Sequence, residues 1–68
     1  MIQAGTQIKD TRYGGTYIVI SVTEKRINLD EPGAKYTTST GRSSSKFFVG
    51  HERFSENIKT GKWVVLHL

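Results

Sequence analysis

Apolar residues along this chain tend to recur at every second position. No window of ten or more residues repeats them at three and four, so the pattern predicts strands and not helices. Thr6 to Lys9 reads as a short first strand with Ile8 inward, followed by a loop from Asp10 to Gly15 whose paired glycines permit positive φ. Thr16 to Val22 is dense in β-branched and aromatic residues. Strict alternation puts Ile18, Ile20 and Val22 on one face and Tyr17, Val19 and Ser21 on the other, both partly apolar. Thr23-Glu24-Lys25 makes a tight connection to Arg26-Ile27-Asn28-Leu29-Asp30, where Ile27 and Leu29 face in.

Glu31-Pro32-Gly33-Ala34 fits a type II turn, and a return strand is expected near Lys35. From Thr37 to Ser45, seven of nine residues are Ser or Thr. A polar hairpin turning at Gly41-Arg42 with a frayed tip is favoured over a mobile loop. Lys46 to Val49 is a further strand ended by Gly50, its Phe47 and Phe48 on opposite faces and one of them in the core. Between Gly50 and Gly61 lies the one place for a helical turn, anchored by Phe54 and Ile58 and closed by Thr60-Gly61. Lys62 to Leu68 closes the fold, with Val64, Leu66 and Leu68 on one face and Trp63, Val65 and His67 on the other. A chain with few large apolar groups needs its tryptophan for packing, so Trp63 is expected against the Phe54–Ile58 turn.

This order of elements predicts an all-β fold in a single domain, residues 1–68. A short strand, a glycine-containing loop, two hairpin-connected strands, another strand, a helical turn and a closing strand resemble the Src-homology-3-like small barrel of five or six strands. That class includes KOW-type, Tudor-type and ribosomal-protein domains. Lys9 to Val22 loosely echoes the KOW-type pattern, and the proline-peptide-binding signature is absent. An OB-like barrel is the alternative. Either closure would remove exposed sheet edges.

Size and composition narrow the chemistry. A chain of 68 residues buries roughly 60% of its unfolded surface, and without cysteine it has neither disulfides nor thiolate sites. No apolar run approaches the ~20 residues of a membrane span, and the first residues lack the charged and apolar regions of a signal peptide, so a cytoplasmic protein without membrane contact is expected. No serine sits in a nucleophile elbow, and neither His51 nor His67 stands among residues that would activate it. His51-Glu52 begins a zinc-protease-like pattern, but position 55 is Ser where the second histidine belongs. No catalysis, metal or cofactor is therefore expected, and Asp10, Glu24, Asp30 and Glu31 read as solvated carboxylates at strand ends.

The net charge of +4 lies wholly in the C-terminal half, because the charges of residues 1–34 cancel. Residues 32–51 contain no acid. One sign of charge beside hydroxyl side chains points to a nucleic-acid partner, DNA or RNA. Lys35, Arg42, Lys46, Lys59 and Lys62 are the candidate phosphate contacts. Tyr13 and Tyr36 are the candidate stacking residues, with Tyr17 also considered. The alternative is a protein-binding module that docks on an acidic surface, such as a phage or bacterial accessory protein that binds or inhibits a host protein. Self-association is a third possibility, since it would complete a thin core.

Overall fold

The computed structural model describes residues 2–33, 36–37 and 43–66, with the backbone alone at 36, 37, 43 and 44. Among these residues, seven strands and one helix follow in the order β1 (Gln7–Asp10), β2 (Thr16–Val22), β3 (Arg26–Asp30), β4 (Tyr36–Thr37), β5 (Ser43–Ser44), β6 (Lys46–Gly50), α1 (His51–Lys59) and β7 (Trp63–Leu66). Five of the strands form one antiparallel sheet in the order β6-β3-β2-β1-β7. β6 and β7 stand at its two ends, so the sheet is open. β4 and β5 pair separately as the arms of the polar hairpin. Its expected turn at Gly41-Arg42 lies outside the described residues.

The registers separate two faces. On the inner face Val65, Ile8 and Tyr17 stand in one row and Leu29 joins Val19 to Phe47 in another, with Ile27 beside Val49. Ile8, Tyr17, Val19, Ile27, Leu29, Phe54 and Trp63 form the buried core. Rings reach its centre from both ends of the sheet. Tyr17 lies edge-on to Phe47 of β6 and to Trp63 of β7, each with centroids 5.2 Å apart, and Trp63 meets Phe54 of α1 at 5.7 Å. The sheet is therefore coiled around Tyr17, and Phe54 covers the concave side. Trp63 packs on Phe54 as expected, inside the core.

α1 runs for nine residues, longer than the single turn the Phe54–Ile58 spacing predicts. Glu52 in its first turn and Lys59 in its last both complement the helix dipole. The helix ends where Thr60 N–H bonds the Glu56 carbonyl at 3.0 Å and Gly61, at φ +78°, takes a conformation that side chains disfavour.

Strict alternation holds along β2 as far as Ile20 and fails at Ser21. Its buried residues are Tyr17 and Val19, while Ile20 is exposed and Ile18 half-buried. The failure at Ser21 comes from a register shift between Val19 and Ser21. Val19 pairs with Leu29 and Ser21 with Asn28, so Ile20 is an extra residue without a partner. Such a bulge interrupts the period of two and turns Ile20 and Ser21 toward the same outer side. Tyr17, buried in the core on the inner face, is removed from the candidate stacking residues.

Asp10 is the second correction. It is 1% exposed and not solvated. Its Oδ2 accepts hydrogen bonds from the Tyr17 hydroxyl at 2.7 Å and Trp63 Nε1 at 3.2 Å, and its Oδ1 accepts from the amides of Arg12 and Tyr13 at 2.9 and 3.2 Å. Burial pushes this carboxyl upward, but the four donors outweigh it and hold the group below its ordinary value. One carboxylate thus ties the β1–β2 loop, the sheet centre and β7 together.

Candidate functional site

The outer face of the sheet follows from the same registers. Leu66, Gln7, Ile18, Asp30 and Lys46 form one row, Val64, Lys9 and Thr16 a second, and Ser21, Asn28 and Phe48 a third, with Arg26 opposite Gly50 at the end. α1 packs on the other side. This face therefore displays Lys9, Arg26 and Lys46 against one carboxylate, Asp30, which accepts a hydrogen bond from Ser45 Oγ.

Phe48 stands at the centre of the third row and is 59% exposed. The Arg26 guanidinium carbon lies 4.5 Å from its ring centroid, within the range of a cation–π contact. Arg26 forms no ion pair with a described carboxylate. Lys46, two residues before Phe48, has the same outward direction because side chains alternate along β6. Ile20, 41% exposed, and the Ser21–Asn28 pair complete a groove with Phe48 and Lys46. Asn28 Nδ2 donates to Ser21 Oγ at 2.9 Å.

The β2–β3 turn beside this face is fixed locally and from a distance. Thr23 N–H bonds the Arg26 carbonyl at 2.9 Å, and Thr23 Oγ1 accepts from the Arg26 amide at 3.1 Å. His51, at the start of α1, places Nε2 2.6 Å from the Thr23 carbonyl. Arg26 therefore leaves a constrained turn and not a loose loop.

The expected site residues are distributed as follows. Lys46 is on the outer face. Lys59 lines a different groove, with Ile2, Phe54, Ile58 and Val65. Lys62 lines a third, beside Arg53, Glu52 and Glu56. These three lysines are not brought together. Tyr13 is 79% exposed in the β1–β2 loop with Arg12 at 5.0 Å from its ring centroid. That loop and the β2–β3 turn lie at opposite ends of β2, so Tyr13 is remote from Phe48. Lys35 and Arg42 lie outside the described residues, as does the side chain of Tyr36.

Three residues of the outer face, Lys9, Arg26 and Phe48, were not among the expected ones. The consecutive phenylalanines of β6 held the signal for Phe48, since only one of two adjacent strand residues can face the core. Arg26 was hidden because the N-terminal half cancels in net charge, although cancellation along the chain says nothing about which face each charge takes.

No known protein family matches the chain, and neither a curated protein nor a solved structure matches it. Among the described residues, no group of three or more His, Asp or Glu is placed to hold a metal ion, and no helix is long and apolar enough to cross a membrane.

Proposed function

We propose that this chain is a small noncatalytic domain that binds nucleic acid, DNA or RNA, across the outer face of its sheet. The observation that carries this reading is the exposed Phe48 ring with the Arg26 guanidinium on it. An aromatic face left in water beside cations is what a stacking platform requires, and phosphates can be met by Arg26, Lys46 and Lys9 around it. The coiled meander β1-β2-β3-β6 with β7 returning beside β1 is taken as an opened form of the Src-homology-3-like barrel. Lys35 and Arg42, expected phosphate contacts, lie outside the described residues and carry no part of this reading. Lys59 and Lys62, on the α1 side, are left out of it.

A titration of labelled oligonucleotide over a salt series tests this reading. With three to five phosphates neutralised, log affinity against log salt should have a slope of about −2 to −4.5. A flat response would reject it.

The aliphatic exposure of Ile20 on the same face favours a second reading, in which an acidic protein docks there. That reading expects a stoichiometric protein complex that survives nuclease treatment. The nucleic-acid reading expects co-purified material that nuclease removes.

A further inference from the structure

The groove beside Phe48 contains more than a phosphate-binding patch needs. Its volume is about 310 Å³, at the low end of the ~300–1,000 Å³ of small-molecule sites. Ile20 and Phe48 give it apolar lining, the hydrogen-bonded Ser21–Asn28 pair neutral polar lining, and Lys46 a cation. The single hydrogen bond of that pair uses one Asn28 Nδ2 proton and one Ser21 lone pair. The second Nδ2 proton, the Asn28 Oδ1 acceptor and the Ser21 hydroxyl proton have no partner among the described residues.

We propose that this groove receives one unpaired nucleobase of a single strand. The ring packs against Phe48, its polar edge meets Asn28 and Ser21, and the flanking phosphates lie at Arg26 and Lys46. This inference rests on the reading of the outer face as a nucleic-acid surface and adds the ligand's state and position. The distribution of polarity selects the occupant. A carboxylate from an acidic peptide would want cations as its main partners, but the polar lining is chiefly the neutral Ser21–Asn28 pair, with Lys46 the one cation in it. A nucleotide offers the matching set, a π face, an edge of neutral donors and acceptors, and charge outside the base on its phosphates. A duplex keeps its bases stacked internally and offers no free ring face to Phe48.

The test compares fluorescence anisotropy of three labelled probes: a single-stranded oligonucleotide, an abasic strand of equal length and phosphate number, and a duplex. Polyglutamate serves as competitor. The single strand should bind about 5- to 150-fold more tightly than the abasic strand, the range that one stacked base contributes. Phe48→Ala and Phe48→Leu should bring that ratio toward one, and Phe48→Trp should preserve it. Leucine keeps apolar bulk without a ring, so the pair separates stacking from hydrophobic contact. Because Phe48 is exposed, all three variants should melt as the wild type does. Equal binding of intact and abasic strands, or duplex binding as tight as single-strand binding, would overturn the base site and leave the nucleic-acid reading standing. Failure of every probe to bind, or displacement of the strand by polyglutamate at equal charge, would overturn both.

Discussion

The Tyr17 hydroxyl donates a 2.7 Å hydrogen bond to Asp10, and both residues are buried beneath the sheet. This bond joins a loop-forming carboxylate to the ring on which Phe47 and Trp63 converge, so polar and apolar parts of the core depend on one another. A hydrogen bond to a charged acceptor contributes about 1.5–3 kcal/mol, in a domain whose size implies a total of about 3–10 kcal/mol. Tyr17→Phe should lower the unfolding free energy measured by urea denaturation by an amount in that range while keeping the fold. Asp10→Ala should be worse, because it leaves the Tyr17 hydroxyl, Trp63 Nε1 and two amides without their acceptor. A cost of at least about 3 kcal/mol is expected, and circular dichroism should show a broadened or absent thermal transition.

Acid should act through the same group. The folded-state value of Asp10 lies below its ordinary 3.8, so its contribution is complete above about pH 4 and is lost as pH falls through the depressed folded value. Stability measured by urea from pH 7 downward should hold as far as this group is concerned until about pH 4 and then decline. Tyr17→Phe removes one of the lowering donors. Its acid-dependent loss should therefore be shallower than that of the wild type, and an equally steep decline would deny Asp10 this role.

Phe54 is the residue by which α1 closes the concave side. It is fully buried and packs on Trp63. Phe54→Ala should cost about 3–5 kcal/mol, enough to threaten the whole fold. Trp63 is the chain's one tryptophan, so its fluorescence reports directly. The emission of the native protein should be that of a buried indole and should shift to the red in the variant, where loss of the Phe54 ring lets water reach it.

Much of this fold was legible because local pattern and tertiary packing agree. Ile27 and Leu29 alternate with polar residues and are buried as alternation requires, and the separation of Phe54 from Ile58 located the helix. Alternation also holds in β2 as far as Ile20, but the face of Ser21 was misread because a bulge at Ile20 breaks the period on which the reading depends, and no residue type announces a bulge. Asp10 was misread because its partners Tyr17 and Trp63 lie seven and fifty-three positions away. Burial of a carboxylate is decided by such distant donors and not by its neighbours. The site was hidden for a related reason. Arg26 and Phe48 meet only through the β3–β6 register, so summing charge by halves of the chain drew attention to Lys59 and Lys62 and away from the outer face.

The central claim, that nucleic acid lies across the outer sheet face, is tested most directly by the salt dependence of single-strand affinity in Arg26→Ala/Lys46→Ala beside the wild type. Each lost phosphate contact removes roughly 0.7 from the slope for a single strand. The double variant should therefore bind more weakly, with a slope shallower by about 1.4 and an unchanged melting temperature, since both side chains are exposed. An identical slope and affinity in the two proteins would contradict the account.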